Sequence, residues 1–320
     1  MTSQLSITRM IAALVVLMSM LAACRTDTQP GDDGILVVAT TSILADIASN
    51  VVGEEGTVEF LIPIGGDSHD FSPSAQQAAR LAGADLVVAN GLNLEESMTD
   101  VLDSLRGDGI EVIELAPLVD PIPFTRPELL QETDGGDEAA EDENGTKDPH
   151  FWMDPIRVGV AATALAESLE RVIPGGSWQT RAEEYTVEME ATDAAIVALI
   201  EGVPEDSRRI VTNHEAFGYF AARYGFAVVG VVIPGGSTLA EPSSAELAGL
   251  VDVMRGEGTR VIFAETSQPT ILAEAVASEL GTDIEVIELF TESLGPSGSG
   301  AETLADMLLG NAEKITTALG

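Results

Sequence analysis

The sequence predicts an α/β protein of two similar lobes, each a parallel sheet flanked by helices, joined by one long helix. Three observations carry this prediction. The first is an internal repeat: the string IEVIEL occurs at Ile110–Leu115 and again at Ile284–Leu289. Each copy trails an Ile-Pro closely followed by paired glycines, 48 residues earlier at Ile62 and 51 residues earlier at Ile233. Between these markers the order also matches. Pro73-Ser74 opens an alanine-rich helical stretch ending before Leu86–Asn90, and Pro242-Ser243 opens Ala245–Met254, which ends before Val261–Ala264. The second observation is that short β-branched runs such as Ile35–Ala39, Val58–Ile62 and Leu86–Val88 alternate with amphipathic helical stretches. That alternation marks parallel sheets covered on both faces. The third is Trp178–Ile200, which contains neither glycine nor proline and places apolar residues at helical spacing with acidic and polar ones between them. Gly175-Gly176 before it and Gly202 with Pro204 after it supply the breaks. A stiff connector of this kind limits how far two lobes can hinge.

Taken in order, the chain opens on an export segment. Over residues 1–23, Arg9 provides a short positive region, Met10–Ala23 is a compact apolar run, and Leu21-Ala22-Ala23-Cys24 places small residues at a cleavage point. The apolar run is too short for a comfortable membrane span of about 20 residues. Cys24 is the only cysteine, so a disulfide within the chain is impossible. Residues 24–34 read as a polar tether, with Pro30, Gly31 and Gly34 against regular structure. The N-terminal lobe is expected over 35–174, the connecting helix with its flanking turns over 175–203, and the C-terminal lobe over 204–320. Inside the first lobe, residues 131–148 are acidic and glycine-rich with no apolar side chain larger than alanine. Such a stretch is expected to form a mobile, solvated loop.

Composition limits the function classes. At 320 residues, 45% of them apolar, the chain can bury a substantial core. A net charge of −38 argues against nucleic acid and against an anionic membrane surface as partners, since both need a basic face. Cations are the natural partners. The excess is far larger than one ion site needs, and its bulk reads as a solubility adaptation of the surface. The expected state is a monomer.

The chemistry concentrates in three histidines, His69, His150 and His214, the only ones in the chain. His69 lies in GGDSHDFSPS, residues 65–74, in a loop leaving the strand that ends at Ile62. Loops at the carboxyl ends of parallel strands are where α/β proteins place ligands. His150 lies in DPHFWMDP, residues 148–155, between two Asp-Pro pairs that fix the backbone. Asp148 or Asp154 is placed to hold its second ring nitrogen and select the tautomer. His214 lies in TNHEAFGYFAARYGF, residues 212–226, directly after the strand Arg209–Val211 and at the start of a helix. Imidazole offers a neutral nitrogen near physiological pH, and three of them, each beside a carboxylate, point to one first-row metal ion gathered by folding.

These motifs, with the lipobox-like Leu21–Cys24 before them, resemble the metal-binding solute-binding lipoproteins of ABC transporters, the ZnuA-like or TroA-like family of zinc and manganese receptors. The resemblance covers essentially the whole chain from Ile35, including EPSSAEL at Glu241–Leu247 and FAETS at Phe263–Ser267, and DPHFWMDP is its most specific part. It implies a diacylglyceryl thioether on Cys24, an extracytoplasmic location at a membrane, and delivery of the ion to an ABC permease. It implies that His69 and His150 are the first and second ligands and His214 the third, a position held by glutamate in manganese-favouring members. The fourth family ligand is usually the aspartate of an Asp-Ser-Leu-Gly segment, where this chain has Glu292-Ser293-Leu294-Gly295. Three imidazoles and one carboxylate suit tetrahedral Zn²⁺. Mn²⁺ is the alternative if Glu292 chelates through both oxygens. Zinc-uptake members often carry a histidine- and acid-rich loop before the second histidine motif; the stretch here has no histidine.

Two readings from other classes stand beside this one. A secreted zinc hydrolase would keep three ligands and a water, with Glu215 or Glu292 as general base. The sequence has no HExxH and no GxSxG to support it, and an enzyme is not expected. A structural zinc site in a lipid-anchored adhesive protein is the other.

Overall fold

Two four-stranded sheets built to one plan carry the site. The computed structural model describes residues 34–124 and 147–320. The signal segment, Cys24, the tether up to residue 33 and the acidic stretch up to residue 146 lie outside the described residues. The first sheet contains β1 (Ile35–Ala39), β2 (Gly56–Phe60), β3 (Leu86–Ala89) and β4 (Val112–Glu114) in the order β2-β1-β3-β4. The second contains β5 (Arg209–Thr212), β6 (Ala227–Val231), β7 (Val261–Glu265) and β8 (Glu285–Leu289) in the order β6-β5-β7-β8. All pairings are parallel. The repeat read from sequence is therefore a repeat of topology, and the two IEVIEL strings supply the edge strands β4 and β8. The inner strands β3 and β7 are buried along their whole length, as strands covered on both faces must be.

The predicted strand Val58–Ile62 is shifted: β2 spans Gly56–Phe60, and Leu61 and Ile62 follow it. They still donate to the carbonyls of Ala39 and Thr40 at 3.0 and 2.9 Å, which carries the chain in register towards the His69 loop.

Helices return the chain between strands, and their starts follow from local chemistry. Thr41 caps α1 (Ser42–Val52) by accepting from the Leu44 amide. Ser74 and Gln77 form a capping box at α2 (Ala75–Leu81), and Ser243 and Glu246 form the same device at α7 (Ser244–Glu257). The remaining helices are α3 (Thr99–Gly107), α4 (Pro155–Val172), α5 (Trp178–Ile200), α6 (Gly218–Tyr224), α8 (Ile271–Leu280) and α9 (Leu304–Leu319). No helix among the described residues is long and apolar enough to cross a membrane.

The connector α5 has 23 residues, which at the α-helical rise is about 34 Å. It buries Trp178, Ala182, Tyr185, Met189, Thr192, Ile196 and Ile200, a stripe stepping by three and four residues along one face. That face lies against α4, α1 and α9. Tyr185 donates to Asp46 on α1 at 2.9 Å, and Asp193 accepts from Arg223 on α6, so the helix is fastened to elements of both sheets. The largest apolar cluster also draws on both: Val37, Leu86 and Trp152 share it with Ile210, Phe217, Phe263 and Leu294. A core held in common leaves little room for free rotation of one half against the other.

Candidate metal centre

Each of the four candidate ligands sits on a connection leaving the carboxyl end of a strand. His69 follows β2, His150 lies on the crossover from β4 to α4, His214 follows β5, and Glu292 follows β8. The register of β5 on β6 shifts between Ile210 and Val211, just before β5 delivers His214. The helix expected at His214 begins later, with α6 at Gly218. His214 is thus held in the intervening turn, where its backbone is free to bond elsewhere.

The structure brings His69, His150, His214 and Glu292 together, with one ligand atom from each within 4.8 Å of all the others. The Nε2 atoms of His150 and His214 are 3.2 Å apart, and Glu292 Oε1 lies 3.4 and 3.6 Å from them. Bonds of about 2.0–2.2 Å to a tetrahedral ion would set such atoms roughly 3.3–3.6 Å apart. All four residues are buried, the most exposed at 2%. Both ring nitrogens of His69 and Glu292 Oε1 have no hydrogen-bond partner among the described residues. A buried polar atom left unpaired costs about 1–3 kcal/mol, and a shared cation would satisfy Glu292 Oε1 and one ring nitrogen of His69. The residues therefore fit a metal ion. The rings of Phe124 and Trp152 stand at 6.3 and 5.4 Å from His150 and wall the cluster with apolar surface.

Two imidazoles are gripped in the same way. Asp148 Oδ1 accepts from the backbone N–H of His150 at 2.9 Å and from its Nδ1 at 2.7 Å. Glu265 Oε1 accepts from the backbone N–H of His214 at 3.2 Å and from its Nδ1. One carboxylate oxygen thus fixes backbone and ring together, and Nε2 is turned into the cluster. Of the two aspartates expected to serve His150, Asp148 does so. Asp154 instead caps α4 through the Ile156 amide and pairs with Arg157 and Arg223. Asp148 is also a correction to the acidic loop 131–148: it is fully buried, and Lys147 before it forms an isolated bridge with Pro123. Composition cannot separate an aspartate recruited by a histidine from the acidic residues before it in sequence.

Among the described residues His69 is held through its backbone, its N–H donating to Asp67 Oδ1 at 2.9 Å. Asp67 Oδ2 accepts from Thr238 and Gln268 on loops of the second sheet, both at 2.6 Å. Glu292 Oε2 accepts from Ser68 Oγ, Gly65 N donates to Ser293 Oγ at 2.8 Å, and Trp152 Nε1 donates to the Thr291 carbonyl at 2.8 Å. The sequence alone marks no role for Glu265, Ser68, Asp67 or Thr291. Glu265 stands within the FAETS string, but its partner is 51 residues away; that of Ser68 is 224 residues away.

Electrostatics follow from this crowding. Burial pulls the His150 imidazole down, yet Asp148 and Glu292 together outweigh it and push the group up to about 10. Burial likewise opposes His214, and Glu265 raises it. His69 has no such carboxylate on its ring; burial, helped by the two neighbouring imidazoles, lowers it despite Glu292. Burial alone would raise Glu292, but the three imidazoles that face it, His150 foremost, carry it well below the usual carboxylate range.

Comparison with known proteins agrees with this geometry. The chain is 30% identical over 290 residues to the zinc-binding protein TroA of Treponema pallidum, covering 89% of this chain and 88% of that one. It is 28% identical over 296 residues to the manganese-binding lipoprotein MntA of Halalkalibacterium halodurans, covering 92% and 91%. The solved structure of the periplasmic zinc-binding protein TroA from Treponema pallidum superposes with a TM-score of 0.78 at 28% identity, over 90% of this chain and 99% of that one. Residues 37–318 match the family model described as zinc-uptake complex component A, periplasmic, and with a shared two-sheet plan and a buried cluster of three histidines and one glutamate, the chain belongs to that family of metal-transporter binding proteins.

Proposed function

We propose that the protein captures one divalent transition-metal ion outside the cytoplasm, zinc in preference to manganese, and delivers it to an ABC permease. His69, His150 and His214 each donate a neutral imidazole nitrogen and Glu292 a carboxylate oxygen. The metal is cargo. The reading extends to a lipid anchor on Cys24 after removal of residues 1–23, a tether over 24–34, and a monomer with lobes over 35–174 and 204–320 joined through 175–203. The observation that carries the metal role is the convergence of four buried ligand atoms within 4.8 Å.

Zinc is favoured by the donor set, since three imidazoles suit Zn²⁺ while oxygen-rich sets suit Mn²⁺. Manganese is the second reading, because MntA of Bacillus subtilis, 30% identical over 319 residues, is named as a manganese-binding lipoprotein. A hydrolytic reading is the weaker one: a catalytic zinc keeps an open position for water, and four converging protein ligands would fill it. Titration of the full chain with Zn²⁺ and with Mn²⁺ against competing chelators tests the proposal. One ion per chain, with zinc the tighter, is expected; a chain that binds neither ion overturns it.

A further inference from the structure

The glutamate at the fourth position differs from the aspartate that the resemblance implies, and its extra methylene makes chelation through both oxygens geometrically open. The structure places a specific obstacle against it. Ser68, fully buried, donates its hydroxyl to Glu292 Oε2, while Oε1 is left without a hydrogen-bond partner and faces Nε2 of His150 and His214 at 3.4 and 3.6 Å. The two oxygens of one carboxylate thus have separate assignments, one to the protein and one to the ion cluster.

We propose that Ser68 is a specificity-determining positioning residue: its hydroxyl keeps Glu292 monodentate and thereby holds the site to four ligands, favouring Zn²⁺ over Mn²⁺. This rests on the metal-capture reading and adds to it the device that selects the ion. Oε2 keeps a second lone pair, so the bond acts by fixing the rotation of the carboxylate: turning Oε2 onto the ion would strain or break the only hydrogen bond found for the buried hydroxyl among the described residues. A monodentate carboxylate with three imidazoles completes the tetrahedron zinc prefers, whereas Mn²⁺ gains from added oxygens and a higher coordination number.

Ser68 is not free to follow Glu292 if the carboxylate turns. Gly65 N bonds Ser293 Oγ, and Asp67 bonds both Thr238 and Gln268, so its loop is braced on either side against loops of the second sheet. The backbone that carries the hydroxyl is thereby held.

The test compares the full chain with Ser68→Ala and Ser68→Thr, measuring Zn²⁺ and Mn²⁺ affinities by chelator competition and the visible spectrum of the Co²⁺-loaded forms. Ser68→Ala is expected to lower the zinc-to-manganese affinity ratio by about tenfold or more, the order set by one charged hydrogen bond. The strong absorption of four-coordinate Co²⁺ should weaken in the same variant, and Ser68→Thr, which keeps the hydroxyl, should restore both. A variant that binds both ions with unchanged ratio and unchanged Co²⁺ spectrum overturns the proposal and leaves metal capture standing. An unsubstituted chain that binds neither ion overturns both. X-ray absorption on the unsubstituted zinc form decides independently of any variant: one oxygen from Glu292 supports the assignment, and two overturn it.

Discussion

Glu265→Gln leaves the shape of the site almost unchanged and removes a charge from behind one ligand. Glu265 is fully buried, accepts from the His214 backbone and ring through Oε1, and accepts from Thr291 Oγ1 through Oε2 at 2.8 Å. Glutamine can still accept from the ring, so the tautomer and ring plane survive. What is lost is the negative charge that makes the imidazole a stronger donor, and the amide nitrogen must face a hydroxyl or ring that now serves as donor. Outer-shell substitutions of this kind cost about 10–100-fold in metal affinity, equivalent to roughly 1.4–2.8 kcal/mol. Competition titration with a chromophoric chelator reads the affinity, and circular dichroism checks that the fold persists. Zinc affinity within about twofold of the unsubstituted protein, with the fold intact, would refute the reasoning that a carboxylate behind His214 tunes the metal.

His150→Ala should lower zinc affinity by orders of magnitude while the metal-free fold persists, because the His150 backbone N–H still donates to Asp148; near-normal affinity in chelator competition rejects His150 as a ligand. Zinc binding at pH 7.5 should release at least one proton, since His150 is pushed up to about 10 and must lose its proton to bind; calorimetry in buffers of different ionisation enthalpy measures it, and zero release contradicts the prediction. The same protons set the stability of the metal-free form. The raised His150 contributes fully below its unfolded value of about 6.5 and loses that contribution as pH rises to about 10. The lowered Glu292 contributes above its unfolded value of about 4.3 and loses it as pH falls below. Thermal melts of the metal-free protein should therefore weaken on both sides of about pH 5–6.5, the alkaline loss being smaller in His150→Ala; an equal alkaline loss in that variant refutes the assignment.

The plan of the fold was legible because it is written twice. Matching words at matching spacing fixed two parallel sheets, and a run free of glycine and proline located α5 with the bounds the structure gives it. The common core was not legible, since the partnership of Trp152 with Phe217 and Leu294 is a matter of packing between distant segments. Rarity exposed the three histidines. Glu292 is one of 53 acidic residues and could be singled out only through the family resemblance. Glu265 and Ser68 escaped because their roles exist only once loops from opposite ends of the chain meet, and a serine beside a histidine carries no local sign of a carboxylate 224 residues away. Asp148 belongs by composition to the acidic stretch and by spacing to His150, and burial decides between the two.

The central claim is that His69, His150, His214 and Glu292 share a single ion. Anomalous diffraction at the zinc edge from crystals of the zinc-loaded protein tests it directly. The account predicts one peak within about 2.2 Å of a nitrogen from each histidine and an oxygen of Glu292. A peak elsewhere, or one that any of the three imidazoles fails to reach, contradicts it.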